Sequence, residues 1–404
     1  MKLCIISNLY PPYVRGGAER IAERLAEESA ARGDVVHVIT SAPFSHTGFG
    51  DALHVERGVH VHRLFHSNVY FNLYSSHHAF FLRFVSFVWT EFNFVYAFHV
   101  WKLLREIKPD VIHTHNLAGT SFLIPRVIKL LRIPHIHTVH DIQLAIPSGR
   151  LLVGEEFDFI NSGALVLAFQ WLQRKLWGSP RIITAPSEWL LSYYRTRKYF
   201  RGSRFQLVRH FFPPEQSLAL RDSQAHIKRP QFTLVYVGQM ERAKGVIMLV
   251  QLFGALCTEG LAQNAELIFV GTGADEKIVA TLAAPFKQIS VLGHLHHDEV
   301  EAVIRSADVV LVPSLLYENS PTIVVEALAA GRPLVVSDVG GAAELVRATP
   351  DGGFVVEPNE TAWREQLAGL LQNPQTVLQM NPQFTAPSSV LAFHELYVWL
   401  NQKS

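Results

Sequence analysis

Cysteine is scarce in this sequence, with only two among 404 residues. Cys4 falls in a predicted strand and Cys257 in a predicted helix, so their placement implies no disulfide framework. So few thiols fit a reducing cytoplasm better than secretion. Residues 1–10 are also too short, and too polar after Ile6, for a signal peptide. We therefore expect a cytoplasmic protein.

Net charge and long apolar runs are also lacking. The formal net charge is +1, which gives no electrostatic case for nucleic-acid binding. No uninterrupted run of about 18 apolar residues occurs, so no membrane span is predicted. Hydrophobic residues make up 49% of the chain and charged residues 18%, which indicates a well-packed globular protein. A length of 404 residues favours two domains.

Short apolar runs alternate with helical patterns from end to end, which is typical of parallel sheets covered by helices. The predicted strands of the first half are Leu3–Ser7, Val35–Thr40, Val59–Leu64, Asp110–His113, His135–Val139 and Arg181–Ala185. Those of the second half are Phe232–Val237, Glu266–Val270, Ile289–Leu292, Val309–Val312 and Pro333–Ser337. The pattern predicts an α/β protein with two Rossmann-like domains facing across a cleft. Ligands should bind at the carboxyl ends of the strands.

The predicted domain boundary lies at the Phe-Phe-Pro-Pro sequence at 211–214, which a polar stretch follows. The prediction assigns residues 1–213 to an N-terminal domain and residues 214–387 to a C-terminal domain. An apolar and aromatic segment, Val390–Leu400, closes the chain.

The segment Glu318–Glu326 carries the strongest chemical signal in the chain. It follows a predicted strand, and its composition predicts a loop that leads into a helix. Ser320 is a suitable N-cap, Pro321 suits the first helical position, and Gly331 suits the helix stop.

The start of this helix is a candidate anion site, because the amides of Thr322 and Ile323 have no partner within the helix. Glu318 lies at the same end, and Glu326 lies about a turn and a half further along, on a small and open face. The stripe expected to be buried consists of Val324, Ala327 and Leu328. A phosphate site flanked by two carboxylates fits a sugar nucleotide.

This segment resembles the signature of the retaining nucleotide-sugar glycosyltransferases of family 4, which has two glutamates separated by seven residues. The resemblance covers most of the chain and implies the GT-B fold, with a final helix at about 388–404 that crosses back to the N-terminal domain. It implies that Glu318 lies by the donor sugar, that Glu326 holds the ribose, and that the backbone between them holds the diphosphate. The donor-binding candidates in this segment are Asn319, Ser320, Pro321, Thr322, Ile323 and Glu326.

Gly16 and Gly17 open a helical pattern that continues to about Arg32, and glycine lets backbone approach a ligand closely. The spacing is not the dinucleotide-binding pattern, so no nicotinamide cofactor is predicted. Two glycines alone are better explained by a flexible loop entering a helix. With the family resemblance, contact with the donor phosphate or the acceptor is the better interpretation.

The loop at 238–245 opens the second domain with the sequence Gly-Gln-Met-Glu-Arg-Ala-Lys-Gly. The family usually has an arginine after the first glycine and a lysine before the last, and both neutralise the diphosphate as the bond to the sugar breaks. Lys244 matches this pattern. Gln239 departs from it, because glutamine donates hydrogen bonds but has no charge. Arg242 is either a replacement for that charge or a solvated loop residue.

Two further loops complete the predicted donor site. Gly271 and Gly273 follow a predicted strand, where backbone could approach the nucleotide. His294 follows the next strand, where the family usually places the nucleobase. The sequence does not identify that base.

Two neighbouring predicted strands carry histidines, and strand alternation places His113 and His115 on one side of the first strand. A histidine-rich strand end could bind a metal, but no spaced acidic ligands accompany it, so we predict no metal site. The resemblance implies that His140 lies beside the donor sugar. Asp141 and His115 are acceptor-side candidates.

Thirteen aromatic residues lie between Tyr70 and Trp101. The residues at helical spacing are Phe80, Phe84, Phe87, Phe94, Phe98 and Trp101. One interpretation is a helix buried in the N-terminal domain. The other is a surface that meets a bilayer or a lipid-linked acceptor. Arg83 and Glu91 argue against a membrane span, and cations are few before Lys102.

We therefore predict a metal-independent retaining glycosyltransferase, with contact to the inner face of the plasma membrane as a hypothesis. The donor would be a UDP- or GDP-linked sugar, and the acceptor a hydroxyl in bacterial-type polysaccharide, lipopolysaccharide or glycolipid synthesis. The catalytic candidates are His140, Glu318 and Lys244, and the loops at 44–50 and 142–163 are expected to shape the acceptor side.

Three alternatives remain open. The first is a non-catalytic sugar-nucleotide binder, which the uncharged Gln239 supports. The second is a metal-assisted hydrolase built on His113, His115, His137 and His140. The third is an epimerase, which needs no acceptor.

Overall fold

The computed structural model describes residues 1–48, 51–210, 231–384 and 389–402. They form two compact units. The first unit takes in residues 1–149 and 163–212 together with the C-terminal segment from 388, and the second takes in residues 150–162 and 213–387.

The predicted boundary at 211–214 lies outside the described residues, so its position stays a prediction. Residues 150–162 were assigned to the N-terminal domain, whereas the structure places them in the second unit. The reason is backbone pairing with the segment after a strand of that unit. Leu152 forms a β-bridge with Leu316, and the N–H of Val153 donates to the carbonyl of Leu315.

The first unit contains an eight-stranded sheet, parallel except for one edge pair. Its strands are β1 (Lys2–Ile6), β2 (Val35–Ala42), β3 (Asp51–Glu56), β4 (Val59–Phe65), β5 (Val111–Thr114), β6 (His135–Thr138), β7 (Ile182–Ala185) and β8 (Arg204–Leu207). They are ordered β3-β4-β2-β1-β5-β6-β7-β8. The order reverses direction between β1 and β5, which is where open α/β sheets bind ligands.

The second unit contains a six-stranded parallel sheet. Its strands are β9 (Phe232–Val237), β10 (Ala265–Val270), β11 (Ile289–Val291), β12 (Val309–Val312), β13 (Leu334–Ser337) and β14 (Gly353–Val356). They are ordered β11-β10-β9-β12-β13-β14, so the order reverses direction between β9 and β12.

The helices cover the faces of these sheets. The first eight are α1 (Gly17–Ala31), α2 (Phe44–Thr47), α3 (Phe80–Glu91), α4 (Phe94–Ile107), α5 (Ile124–Leu131), α6 (Phe159–Ser162), α7 (Ala164–Trp177) and α8 (Glu188–Thr196). The others are α9 (Val246–Thr258), α10 (Glu276–Ala283), α11 (His297–Ser306), α12 (Thr322–Ala329), α13 (Gly340–Ala348), α14 (Glu360–Gln372), α15 (Gln375–Leu378) and α16 (Ser389–Gln402). Two α/β units built on largely parallel sheets confirm the predicted fold class.

The last helix crosses back to the first unit, as the fold prediction required. Phe393 and Tyr397 of α16 are fully buried in the same apolar cluster as Leu3 and Ile5 of β1. Burying two aromatic side chains of this size contributes several kcal/mol, roughly 2 or more for each ring. This contact holds the chain end on the first sheet.

All eleven predicted strands are present, and the described part of the chain holds three further strands that were not predicted. These three, β3, β8 and β14, all lie at sheet edges. In β3 and β8, polar side chains break the apolar run on which the prediction rested. β14 is only four residues long and begins at Gly353, which weakens a strand pattern.

The aromatic segment predicted as one helical stripe forms two helices, α3 and α4. Asn93 interrupts the stripe, because its side chain caps α4 by accepting a hydrogen bond from the N–H of Tyr96 at 3.1 Å. A capping asparagine starts a new helix and so ends the old one.

Candidate active site

The second unit brings two predicted catalytic residues together at its sheet reversal. Lys244 lies in the loop after β9 and Glu318 in the loop after β12, and these two strands are neighbours. Lys244 Nζ donates to Glu318 Oε2 at 2.6 Å, and both side chains are about four-fifths buried. A lysine and a carboxylate are thus held at the sheet edge where an open α/β sheet binds its ligand.

The Lys244 loop is packed closely against the end of β12. Gly245 has a φ of 75°, and a Cβ there would lie 1.9 Å from the carbonyl oxygen of Pro313. Only glycine fits this position. The loop that presents Lys244 is therefore fixed by contact with the strand that leads to Glu318.

Helix α12 starts one residue later than predicted. Its N-cap is Pro321, whose extended ψ of 128° delays the first helical turn, so the predicted cap at Ser320 is wrong. No side chain caps this helix start, and its first amides remain donors at the positive helix end. Gly331 follows the helix with a φ of 70°, which confirms the predicted stop. Val324, Ala327 and Leu328 are buried, as predicted.

The backbone of Glu318 is held by a glycine pair that the sequence analysis missed. The N–H of Gly341 donates to the carbonyl of Glu318 at 2.8 Å. A Cβ on Gly340 would lie 2.1 Å from the same carbonyl oxygen. The available signal was a Gly-Gly sequence shortly after the predicted strand Pro333–Ser337.

Glu326 lies on α12 and is largely buried. Burial raises the pKa of its carboxyl, His297 on α11 lowers it, and Glu301 on α11 raises it. His297 was not among the predicted site residues. It is the first residue of α11, three residues after His294, and helix packing brings it near Glu326.

The predicted donor glycines fall into two groups. A Cβ on Gly271 would lie 2.0 Å from the carbonyl oxygen of Gly238, and one on Gly273 would lie 2.4 Å from that of Met240. These two glycines are therefore required by the contact between two loops. At Gly17, in contrast, a Cβ would meet nothing within 4 Å, and Gly16 has an extended φ of −160°. Packing in this structure does not require glycine at either position.

Four side chains in and beside the predicted donor site are solvent-exposed: Gln239 after β9, Arg242 in the same loop, His294 after β11 and Thr322 at the start of α12. Gln239 occupies the position of the missing arginine. Its backbone carbonyl accepts a hydrogen bond from the hydroxyl of Tyr236 at 2.7 Å, which fixes the start of the loop. The side chain itself remains accessible from solvent.

In the first unit, His115 and His140 form a pair at the carboxyl ends of β5 and β6. His115 Nδ1 lies 2.9 Å from His140 Nε2, and the rings stack at 5.1 Å. His115 is fully buried, and burial lowers the pKa of both rings, that of His140 to about 4. Both are therefore neutral at pH 7.

We assign the proton positions in this pair from one unpaired atom. His115 Nε2 is buried and has no hydrogen-bond partner among the described residues. A buried lone pair costs less when unpaired than a buried N–H does, so Nε2 is the unprotonated nitrogen. Nδ1–H of His115 then donates to Nε2 of His140. The proton of His140 consequently resides on Nδ1, which makes that atom a donor.

The remaining histidines of the cluster bind protein groups. His113 lies 2.6 Å from the hydroxyls of both Tyr397 and Thr138. His137 contacts Thr114 at 2.9 Å and packs against Trp177. Within the described ranges, no group of three or more His, Cys, Asp or Glu side chains is arranged to hold a metal ion.

Asp141 follows His140, and both residues line a small cavity with a volume of about 20 Å³. Burial raises the pKa of this carboxyl, the N–H of Gln143 and the charge of Arg15 lower it, and Glu19 raises it. The N–H of Gln143 donates to Asp141 Oδ1 at 2.8 Å. Asp141 is thus positioned beside the loop that carries Gly16 and Gly17.

Family profiles match both units. The family described as "Glycosyl transferase 4-like domain" matches residues 16–209, and the family described as "Glycosyl transferases group 1" matches residues 231–373. Together they span most of the chain, at the two units that carry the sites described above. The chain belongs to the group 1, family 4 glycosyltransferases of the GT-B type.

Three relatives illustrate the range of this family. The chain is 26% identical to an uncharacterized 42.6 kDa protein in the cps region of Klebsiella pneumoniae, over 88% of this chain and 90% of the relative. It is 24% identical to a putative teichuronic acid biosynthesis glycosyltransferase of Bacillus subtilis, over 85% and 83%. It is 23% identical to an Escherichia coli UDP-Gal:alpha-D-GlcNAc-diphosphoundecaprenol alpha-1,3-galactosyltransferase, over 65% and 66%.

Solved structures share the fold. Sucrose-phosphate synthase from Thermosynechococcus elongatus aligns over all of both chains with a TM-score of 0.71 and 19% identity. The Anabaena protein HepE in complex with UDP aligns over 100% of this chain and 98% of that chain, with a TM-score of 0.64 and 15% identity.

Proposed function

We propose that the protein transfers a sugar from a nucleoside diphosphate to an acceptor hydroxyl with retention of configuration. The observation that carries the proposal is the Lys244–Glu318 pair at the β9/β12 reversal, beside the uncapped start of α12. A cation and a row of free amides stabilise a diphosphate as negative charge grows on it. The UDP complex of the related HepE fold supports a UDP-linked donor, with GDP as the second candidate.

Each site residue then has a chemical role. When the donor binds, the Lys244 ammonium exchanges its contact with Glu318 for one with the diphosphate. Glu318 borders the donor sugar. Glu326 accepts hydrogen bonds from the ribose hydroxyls. The Ser320–Ile323 backbone contacts the phosphates. The Gln239 side chain donates an uncharged hydrogen bond to the diphosphate.

The first unit supplies the other contacts. Packing does not require glycine at positions 16 and 17. A close approach of the protein backbone to the donor phosphate or to the acceptor explains these two glycines. His140 donates from Nδ1 to a sugar oxygen, and Asp141 contacts the acceptor. His115 is fully buried behind His140, so we assign it to positioning that ring.

In the proposed reaction, the bond between the anomeric carbon and the phosphate oxygen breaks, and the acceptor oxygen bonds to that carbon on the same face. The proton of the acceptor hydroxyl passes to the leaving phosphate oxygen. The charge on the phosphate is neutralised by Lys244 and the helix start, so the scheme requires no metal.

The acceptor is proposed to be a glycan or a lipid-linked glycan of bacterial-type polysaccharide, lipopolysaccharide or glycolipid synthesis. Relatives named for teichuronic acid biosynthesis and for a diphosphoundecaprenol acceptor support this class. Contact with the inner face of the plasma membrane follows from such an acceptor. Cys4 and Cys257 are both free thiols, as a reducing compartment would allow.

The test is transfer from UDP- and GDP-sugars to lipid-linked and free glycan acceptors, with the anomeric configuration of the product read by NMR. We expect retention, unchanged rates in a chelator, and a loss of about a hundredfold in turnover in Lys244→Gln. The exposed Lys277→Gln, on α10, is the matched control. An inverted product or strict dependence on a divalent ion would contradict the scheme. Donor binding without transfer to any acceptor would favour the non-catalytic alternative.

A further inference from the structure

A short segment of the second unit lies against both catalytic loops. It consists of residues 150–156, which we call the strap. The strap belongs to the second unit, although the chain before residue 150 and the chain after residue 162 belong to the first. Its sequence, Arg-Leu-Leu-Val-Gly-Glu-Glu, places a cation at one end and carboxylates at the other. The two ends can therefore make different polar contacts.

The backbone of the strap pairs with the residues that precede Glu318. The N–H of Tyr317 donates to the carbonyl of Leu151 at 3.0 Å, and the N–H of Val153 donates to the carbonyl of Leu315 at 2.9 Å. Bonds that run in both directions between the same two segments are those of an antiparallel β-bridge, which these segments form. The strap therefore fixes the backbone on the N-terminal side of Glu318.

A side-chain contact strengthens this pairing. The hydroxyl of Tyr317 donates to Glu156 Oε1 at 2.9 Å. Burial and Glu156 raise the pKa of Tyr317 to about 12, so the hydroxyl keeps its proton. The N–H of Glu156 itself lowers the pKa of that carboxyl, burial raises it, and Tyr317 and the N–H of Gly154 lower it. Glu156 is thus an anionic acceptor, held by the backbone of the strap, for the residue next to Glu318.

The other end of the strap reaches the Lys244 loop. Arg150 Nη2 forms an ion pair with Glu241 Oε2. The carbonyl of Glu241 in turn accepts a hydrogen bond from the N–H of Lys244 at 2.8 Å. The two loops are also joined directly, since the N–H of Leu315 donates to the carbonyl of Ala243 at 2.9 Å. The strap and the two catalytic loops therefore form one hydrogen-bonded network.

We propose that the strap positions Lys244 and Glu318 for the reaction, with Arg150, Glu156 and Tyr317 as positioning residues. The proposal rests on the function proposed above, because it gives the strap a role in that reaction. Catalytic groups carried by loops need support from surrounding contacts to reach a reactive geometry. The strap supplies such contacts to both loops at once.

The strength of these contacts favours a positioning role over a role in stability. The Arg150 side chain is about half exposed, and an exposed ion pair contributes little to the free energy of unfolding. Removing the side-chain contacts should therefore leave the second unit folded. Rate is more sensitive, because misplacing a reacting group by about 1 Å can cost roughly a hundredfold. Since the backbone pairing remains, we expect a smaller loss of roughly tenfold.

The experiment compares three double variants of the full chain. The loss variant combines Arg150→Ala with Glu156→Ala. The conservative variant combines Arg150→Lys with Glu156→Gln, which keeps a cation and a hydrogen-bond acceptor at the same positions. The control combines Glu259→Ala with Arg364→Ala, which removes another exposed Arg–Glu pair of the second unit. Transfer is measured at varied donor concentration, and thermal unfolding checks that each variant is folded.

The loss variant should show a kcat roughly tenfold lower, with the donor KM changed by less than about threefold, because the strap acts on groups needed as the bond breaks. The conservative variant should recover most of this loss, and the control should match the wild type. An unchanged kcat in the loss variant, or equal losses in the loss and conservative variants, would overturn the proposal.

Amide hydrogen exchange tests the strap without any reaction. In the loss variant, the amides of Lys244, Leu315 and Tyr317 should exchange roughly tenfold faster, while those of β12 stay protected. Unchanged exchange at these three amides would overturn the proposal whatever the rates. Faster exchange in a protein whose wild type transfers no sugar would contradict the proposed function, and it would still support the hold of the strap on the two loops.

Discussion

Glu91 offers a test of the packing between α3 and α7. It is 3% exposed, and burial raises its pKa from the usual 4.5 to about 8, although Gln173 lowers it. Gln173 Nε2 donates to both carboxyl oxygens, at 2.8 and 2.6 Å, while its Oε1 is buried without a partner. Burial in this apolar environment therefore favours the neutral form of Glu91.

This raised pKa makes folding stability fall as pH rises. The unfolded chain releases the Glu91 proton near pH 4.5, whereas the folded protein keeps it to about pH 8. Between these values the folded state binds one more proton, so stability falls by at most about 1.4 kcal/mol per pH unit. Over the whole range from pH 4.5 to pH 8, the free energy of unfolding would fall by at most about 5 kcal/mol. Relaxation of the buried site should reduce this loss to about 2 kcal/mol.

The perturbation is Glu91→Gln, which keeps the shape and removes the titration. We expect the variant to gain about 2 kcal/mol over the wild type between pH 5 and pH 8, and little below pH 4.5. Unfolding in urea, followed by tryptophan fluorescence, is the assay. It reports mainly on the first unit, which contains all the tryptophans except Trp363. Glu106→Gln, an exposed glutamate of α4, is the control. Parallel pH profiles for Glu91→Gln and the wild type would refute the reasoning.

Two further predictions concern the site. Gln239→Arg restores the charge usual in the family at an exposed position, and we expect UDP binding to tighten roughly tenfold through a charge-assisted hydrogen bond; unchanged affinity would remove Gln239 from the donor site. His115→Phe removes the donor to His140, so the His140 proton should move from Nδ1 to Nε2, as read from ring nitrogen shifts by NMR. Wild-type His140 protonated on Nε2 would contradict the assignment.

Apolar runs predicted the central strands because those strands are buried on both faces. The edge strands β3 and β8 were missed because polar side chains on their solvent side break the apolar run. Loop–helix chemistry indicated Glu318 and Glu326 as candidates, and the family resemblance indicated Lys244. The pairing of Lys244 with Glu318 could not be predicted, since it depends on β9 and β12 being neighbours, a fact of strand order.

Glycine patterns and helical periodicity were less decisive. A glycine in a loop looks the same whether a ligand or another loop approaches it, so Gly17 and Gly271 could be separated only by their surroundings in the fold. The aromatic spacing from Tyr70 to Trp101 correctly indicated helix, but periodicity does not say what an apolar face contacts. Asn93, which divides the segment, was the overlooked local signal.

The most direct test of the central claim is calorimetric titration with UDP, GDP and their common sugar conjugates. Glu326→Ala is the test variant, and Glu365→Ala, an exposed glutamate of α14, is the control. We predict that one nucleotide binds the wild type and the control tightly, and that Glu326→Ala loses roughly tenfold or more in affinity as ribose hydrogen bonds are removed. Binding of no nucleotide, or equal binding by Glu326→Ala, would contradict a donor site built on α12.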